Sequence, residues 1–252
     1  MNSPNQDTTQ TAENYVFDGG WYENAELRAL PKLLAKVRTF VDVGASFGPY
    51  TKCASETMRG GRIVAVEANR KTHERLSENC KKWEAESGCS ISAVHAAVSD
   101  TAGVIDFFVP ADNSLPLTSS LIQSKEVATK WDTEKVTCVS LDDLLAKESP
   151  DLVKIDIEGA EYRALLGAKQ LISAGSCKFL IEIHPWGDPE LSKTPEDIFK
   201  LMYDCGYDFK VVSRHWYFYQ RNKTVFTFLK HQAIRFVMRH SRLKEQLKKL
   251  PV

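Results

Sequence analysis

The sequence lacks the features that would place a protein in or across a membrane. No apolar run approaches the roughly 18 residues of a membrane-spanning helix, so none is predicted. The polar residues 1–14 show no basic-then-apolar pattern, so no signal peptide is predicted. The 33 Lys and Arg residues balance 33 Asp and Glu residues, so the chain as a whole has no bias toward polyanions. We therefore expect a cytoplasmic protein; the C-terminal residues described below leave peripheral membrane contact open.

The sequence also lacks a cysteine framework. Its six cysteines are scattered and include no C-x-x-C pair, which is typical of reduced thiols and argues against a cysteine zinc site: Cys53, Cys80, Cys89, Cys138, Cys177 and Cys205. A length of 252 residues with 43% apolar content suits one α/β domain with additions, or two small domains.

A glycine-spaced turn follows a short apolar run near the N-terminus. Phe40–Val43 leads into the turn at residues 44–48 and then into a helix-compatible segment, as in the ligand loop of an open α/β sheet. A dinucleotide-binding fingerprint, and with it an NAD(P)-dependent oxidoreductase, needs a middle glycine where Ser46 stands. The acid Asp42 would repel a diphosphate and suits a ligand with a cationic end. A strand, turn and helix without a ligand remains the alternative.

Two further strand ends fit a nucleoside ligand. Arg62–Glu67 is predicted to be a buried strand that ends in an acid, and a carboxylate there can accept hydrogen bonds from ribose hydroxyls. A solvated acid at Glu67 is the alternative. Residues 91–98 are predicted to form a third strand, whose end would place Ala97 and Val98 near the base.

Ionisable residues come in pairs after two later strands. Asp156 and Glu158 follow the predicted strand at residues 152–155, and Glu182 and His184 follow residues 178–181. Burying such groups is costly unless they are paired or used. The pattern therefore indicates a reactive site, although a cluster of ion pairs and helix caps would account for some of the four.

The C-terminal region is aromatic and then basic. Residues 207–212, 215–220 and 225–230 are predicted to be strands, the last two of them forming a hairpin. Residues 230–252 carry seven Lys or Arg against one acid, and their apolar residues follow a helical stripe: Phe236, Leu243, Leu247 and Leu250. A basic amphipathic helix of this kind can lie on an anionic membrane, contact phosphates, or pack on its own domain.

Four segments together resemble the FkbM family of methyltransferases, which use S-adenosylmethionine (SAM). They are residues 41–48, 141–144, 154–161 with Gly167-Ala168, and 181–184, and the resemblance covers roughly residues 39–212. It implies a Rossmann-like class I methyltransferase fold, with a seven-stranded, mostly parallel sheet, a C-terminal antiparallel hairpin and helices on both faces. The expected parts are a disordered tail (1–14), a helical segment (15–38), the methyltransferase domain (39–231) and a basic C-terminal helix (232–252).

The resemblance assigns roles to the residues already singled out. Asp42, Gly44 and Gly48 would line the methionine end of SAM, and Glu67 would hold the ribose. The expected cofactor contacts are Asp42, Gly44, Ala45, Ser46, Gly48, Glu67, Ala68, Ala97, Val98 and Asp156. The expected catalytic residues are His184, Asp156, Glu158 and Glu182.

The implied reaction is O-methylation of a hydroxyl on a sugar, a glycolipid or a natural product. We expect His184 to act as the general base, oriented by Glu182 or Glu158. A Mg²⁺ or Mn²⁺ ion held by the four catalytic candidates is a second possibility. A non-catalytic binding module that recruits nucleic acid or anionic membrane through the basic C-terminal helix is the alternative function.

Overall fold

The computed structural model describes residues 16–17, 20–21, 24–110, 121 and 131–239 of the chain. The predicted N-terminal tail and the last 13 residues of the predicted C-terminal helix lie outside this described part. The strands form sheets of two, seven and three strands. The seven-stranded sheet is the centre of the molecule and carries the site discussed below.

Strands and helices alternate through most of the described chain. The strands are β1 (Val16–Phe17), β2 (Gly20–Trp21), β3 (Thr39–Val43), β4 (Arg62–Glu67), β5 (Ser90–His95), β6 (Ala97–Val98), β7 (Gly103–Pro110), β8 (Trp131–Val139), β9 (Leu152–Ile155), β10 (Lys178–Glu182), β11 (Tyr207–Val212) and β12 (His215–Gln220). The helices are α1 (Asn24–Leu34), α2 (Pro49–Met58), α3 (Arg70–Ser87), α4 (Leu141–Leu144), α5 (Glu161–Leu166), α6 (Lys169–Ala174), α7 (Pro195–Asp204) and α8 (Val225–Arg239).

The seven-stranded sheet has the order β11-β12-β10-β9-β3-β4-β5. Strands β10, β9, β3, β4 and β5 pair in parallel, whereas β12 pairs antiparallel with both β10 and β11. This arrangement confirms the predicted fold class, a Rossmann-like, mostly parallel sheet of seven strands with an antiparallel hairpin. In such a sheet, ligands bind beyond the carboxyl ends of the parallel strands.

The parallel strands are buried on both faces. Successive side chains of a strand point to opposite faces, so Val41 and Val153 pack into one apolar core while Phe40 and Leu152 pack into the other. Helices cover both faces, which explains why these strands are continuous apolar runs rather than alternating ones. The polar exceptions, such as Asp42 and Lys154, therefore need a specific explanation.

The predicted third strand is divided between two sheets. Residues 90–95 form β5 at the edge of the large sheet, and after Ala96 the chain crosses to the small sheet, where β6 pairs with β8. The crossing places Ala97 and Val98 beside the carboxyl ends of the large sheet.

The prediction of a strand at residues 225–230 is wrong, because these residues begin the helix α8. Thr224 caps the helix, since its Oγ1 accepts a hydrogen bond from the Thr227 backbone N at 3.1 Å. Thr227, His231 and Ile234 recur at helical spacing and are buried. The C-terminal hairpin is instead formed by β11 and β12, in which Tyr207 pairs with Gln220. None of the described helices is both long and apolar enough to cross a membrane.

Candidate active site

A cavity of about 410 Å³ opens beyond the carboxyl ends of β3, β4, β9 and β10. Eleven of the thirteen predicted site residues line it: Gly44, Ala45, Ser46, Glu67, Ala68, Ala97, Val98, Asp156, Glu158, Glu182 and His184. Asp42 and Gly48 do not. The fold thus brings together, in one concave site, residues that the sequence spreads over 140 positions.

Asp42 lies beneath the cavity rather than in it. Its side chain is 0% exposed, its Oδ1 lies 3.3 Å from Lys154 Nζ, and its Oδ2 accepts a hydrogen bond from Thr51 Oγ1 at 2.8 Å. The expectation that Asp42 touches the ligand is therefore corrected: its charge is compensated inside the protein. The argument that this acid repels a diphosphate loses its basis for the same reason.

The two glycines of the turn are required by packing within the protein. A Cβ on Gly44, whose φ is +73°, would lie 1.8 Å from the carbonyl oxygen of Asp156. A Cβ on Gly48, whose φ is +98°, would lie 2.6 Å from the ring of Trp83. The missing side chains thus let the turn pack against the end of β9 and against α3, and Gly48, unlike Gly44, does not line the cavity.

Glu67 stands at the end of β4 and fixes the turn. Its Oε2 accepts a hydrogen bond from the Ser46 backbone N at 2.9 Å, and its Oε1 accepts one from the Asn69 backbone N at 2.7 Å. Burial raises the pKa of Glu67 to about 7, against the effect of these two hydrogen bonds. The carboxyl faces the cavity with lone pairs left to accept from a ligand hydroxyl.

One end of the cavity is apolar and the other is acidic. The apolar end is lined by Ala96, Ala97, Val98, Phe107 and Leu121. Asp156, Glu158 and Glu182 line the other end. Lys154, His184 and Arg214 line this acidic end as well, so the cavity can accept a ligand with a flat apolar part and a part that carries ionised groups.

Lys154, which the sequence reasoning did not single out, joins the floor of the cavity to this acidic end. Its Nζ lies 3.3 Å from Asp42 Oδ1 and 3.5 Å from Asp156 Oδ2, and it donates a hydrogen bond to the Gly44 carbonyl oxygen at 3.0 Å. Although burial opposes ionisation of Asp156, Lys154 and two histidines hold the pKa of its carboxyl below the usual value. Asp156 is therefore an anion at neutral pH.

Glu161, which was not predicted as a partner, makes the hydrogen bond to His184, and the predicted Glu158 makes a longer contact. The His184 Nδ1 lies 2.7 Å from Glu161 Oε1, while its Nε2 lies 3.4 Å from Glu158 Oε2 and 4.0 Å from Asp156 Oδ1. Burial alone would lower the pKa of His184, but Glu161 and the two other carboxylates raise it to about 10. In the free protein this side chain is an imidazolium at neutral pH.

Glu182 lies beside a second histidine. Its Oε2 lies 3.8 Å from Nε2 of His215, a fully buried residue on β12. Burial lowers the pKa of His215 to about 4, so its ring is neutral at physiological pH. At neutral pH, His184 is therefore charged whereas His215 is neutral.

Trp186 and Arg214 line the cavity beside the acidic end and were also missed. The Trp186 Nε1 donates a hydrogen bond to the Glu158 carbonyl oxygen at 3.1 Å, and its ring centroid lies 4.8 Å from that of His184. Glu158 itself has a left-handed backbone, with φ at +54°. Non-glycine residues in this conformation often mark functional sites.

Two groups in the described chain have suitable ligand atoms within 4.8 Å of one another for a metal ion. One is Asp156, Glu158 and His184, and the other is Asp156, Glu182 and His215. Both share Asp156, whose carboxylate is already paired with Lys154. The predicted quartet of metal ligands is thus split over two neighbouring positions.

Comparison with known proteins gives one match by family. The model of the methyltransferase FkbM domain matches residues 42–209, which is two thirds of the chain. No curated protein matches.

Solved structures are similar at low identity. One is the methyltransferase FkbM from Methylobacillus flagellatus KT, with 20% identity, a TM-score of 0.49, and coverage of 72% of this chain and 43% of that one. Another is the precorrin-6y C5,15-methyltransferase from Geobacter metallireducens GS-15, with 18% identity, a TM-score of 0.44, and coverage of 82% and 92%. The chain thus spans less than half the length of the M. flagellatus protein.

Proposed function

Because the chain belongs to the FkbM methyltransferase family, we propose that it transfers a methyl group from SAM to a hydroxyl of an acceptor molecule. One observation of the structure carries the proposal: an apolar slot and an acidic end share one cavity, with Glu67 lining it as well. The adenine of SAM matches the apolar slot, its ribose matches Glu67, and its sulfonium matches the acidic end. The class of acceptor, a sugar, glycolipid or natural product, is the one that the family resemblance suggests.

The residues present fit SAM. Ala97 and Val98, with Phe107, would cover the adenine, and Glu67 would accept hydrogen bonds from the ribose hydroxyls. Asp156 and Glu158 would face the cationic end. The remaining predicted contacts, Gly44, Ala45, Ser46 and Ala68, line the same cavity and would lie along the ligand.

When bound, SAM would supply a methyl group on a sulfonium sulfur. A hydroxyl oxygen can attack that methyl carbon in line, and the sulfur leaves as a neutral thioether. The protein has to align that oxygen and accept its proton. We assign the proton to Nε2 of His184, which faces Glu158 and Asp156, while Glu161 fixes Nδ1. A carboxylate on one ring nitrogen orients a histidine so that the other nitrogen can act as the base.

His184 has to lose a proton before it can accept one. In the free protein its pKa is raised to about 10 by the surrounding carboxylates. A cationic ligand in the same cavity lowers that pKa, because like charges repel. We propose that this effect brings His184 to its neutral form when the cavity is loaded. A metal ion held at Asp156 would be a second way to activate the hydroxyl, and full activity in excess chelator would exclude it.

The experiment that tests the proposal is transfer of tritiated methyl from SAM to cell extract separated into glycan, lipid, RNA and small-molecule fractions. We expect label in a fraction with hydroxyl acceptors, at a rate that His184→Ala lowers by about 10²–10⁴-fold. Calorimetry should show that this variant still binds SAM, at least as tightly as the wild type, because the imidazolium that repels the cationic ligand is gone. Full turnover by His184→Ala would refute its role as base, and SAM binding without any labelled fraction would favour the non-catalytic binding module.

A further inference from the structure

Helix α8 presents an apolar face to solvent. Five of the eight large apolar side chains that are exposed in the described part of the chain lie on this helix: Val225, Phe226, Phe228, Leu229 and Phe236. Val225, Leu229 and Phe236 are 77%, 58% and 59% exposed, and their spacing of four and seven residues places them on one side of the helix. Exposed apolar patches of this kind mark contact surfaces more often than single exposed residues do.

The opposite face of α8 is fixed to the protein. Thr227, His231 and Ile234 are buried. The Lys230 Nζ lies 2.7 Å from Asp208 Oδ1, and Arg239 donates three hydrogen bonds to Glu196, at 2.8, 2.9 and 3.2 Å. The helix is therefore packed on the protein, and its apolar face is the side that points away from the protein.

The C-terminal part of the sequence is strongly basic, although Lys230 and Arg239 of α8 are paired with Asp208 and Glu196. After Asp208 the chain has eleven Lys or Arg residues and a single acid, Glu245, although the whole chain is neutral. This C-terminal part thus carries a net charge of +10 and the preceding residues carry −10. Beyond Arg239 the sequence continues with Leu243 and Leu247 among further Lys and Arg residues.

We propose that the outward face of α8 docks the protein on an anionic phospholipid bilayer. An apolar helix face flanked by cations is the pattern of a helix that lies in the membrane interface, with its apolar side chains in the acyl boundary and its cations at the headgroups. A second copy of the chain is disfavoured as the occupant, because two surfaces of the same sign repel. Nucleic acid is disfavoured because its sites combine cations with aromatic rings that stack on bases, whereas this face includes the aliphatic Val225 and Leu229.

This surface extends the one expected from the sequence toward the start of α8. The sequence placed the contact on residues 230–252 with Phe236 as its first apolar residue, whereas the structure begins the face at Val225. The proposal does not depend on methyl transfer, although a membrane surface is where a lipid-linked acceptor would be met. SAM calorimetry and vesicle binding therefore report on the two proposals separately.

The test is sedimentation of the full chain with vesicles of phosphatidylcholine alone or mixed with phosphatidylglycerol. We expect binding to the mixed vesicles that weakens with salt, and that falls by roughly tenfold or more in the triple variant Val225→Ser, Leu229→Ser, Phe236→Ser. The matched control is Val104→Ser with Val211→Ser, two exposed apolar residues on other elements, which should bind as the wild type does. Far-ultraviolet circular dichroism checks that each variant folds, and Phe236→Ser alone replaces the triple variant if it does not.

Three results would overturn the proposal. The first is absence of binding to the anionic vesicles, and the second is equal binding by the wild type and the folded variant. The third is a dimer, seen by light scattering, that the triple variant loses, because the face would then be an interface between two copies. RNA binding that depends on the same three side chains would count against a membrane in the same way.

Discussion

The Nδ1 atom of His184 lies 2.7 Å from Oε1 of Glu161, within a buried pair that joins the end of β10 to the first turn of α5. Glu161 Oε1 also accepts a hydrogen bond from the Gly159 backbone N at 2.9 Å. One carboxylate therefore orients the histidine and holds the preceding turn in place. The ring cannot rotate without breaking this contact, so Nε2 stays directed toward Glu158 and the cavity.

The charge of His184 can be measured without an acceptor. In histidine-labelled protein, NMR titration should show one ring, absent from His184→Gln, with a pKa near 10. Glu161→Gln keeps the shape but removes the charge that contributes most to this rise, so the pKa should fall toward the usual 6.5. His215 is the internal control, since its ring should stay neutral as the pH is lowered to about 4. A His184 signal that titrates near 6.5 in the wild type would contradict the account of the cluster.

The ion pair beneath the cavity should be costly to break. Lys154→Met leaves the fully buried Asp42 without its cation, and we expect a loss of about 3–5 kcal/mol in the free energy of unfolding, measured with urea. Asp42→Asn combined with Lys154→Met removes both charges and should recover at least half of that loss. If the double variant were less stable than Lys154→Met, the pairing would not be the reason for the burial.

The affinity for SAM should depend on the ionisation of Glu67. Its pKa is raised to about 7, so the side chain is mostly a carboxylate at pH 8 and mostly neutral at pH 6. A carboxylate accepts hydrogen bonds from ribose hydroxyls more strongly than a neutral carboxyl does. Glu67→Gln should therefore weaken binding roughly tenfold at pH 8 and much less at pH 6. Calorimetry that gave the same ratio at both pH values would refute this role.

Two glycines with positive φ provide a matched test of the turn before α5. A Cβ at Gly159 would lie 2.4 Å from Trp186 Nε1, whereas a Cβ at Gly88 would meet nothing within 4 Å. Gly88→Ala should cost about 1–2 kcal/mol for the left-handed backbone alone. Gly159→Ala should cost roughly 1–3 kcal/mol more, because Trp186 has to move. Equal losses in urea unfolding would mean that Trp186 does not pack on the turn as described.

The sequence revealed the parts of the site that follow from strand ends. Glu67, Asp156, Glu182 and the glycine turn were predicted because the carboxyl ends of parallel strands meet at one edge of the sheet. The family match over residues 42–209 confirms the predicted resemblance. The roles of the individual residues stay predictions.

The remaining features depend on contacts between distant positions. Glu161 and His184 are 23 residues apart and Asp42 and Lys154 are 112 apart, and neither spacing forms a local pattern. Glu161 could be explained from sequence as a favourable acid at a helix start. The alternation of Val225, Thr227 and Leu229 fits a strand as well as it fits a helix, and only the buried face of α8 decides between them.

Calorimetric titration of the purified protein with SAM, with its demethylated product S-adenosylhomocysteine, and with NAD tests the central claim most directly. We expect one molecule of SAM or of its product to bind per chain, with Glu67→Gln weaker for both and NAD without measurable heat. Absence of heat with SAM, or saturable binding of NAD in the same cavity, would contradict the assignment of this site.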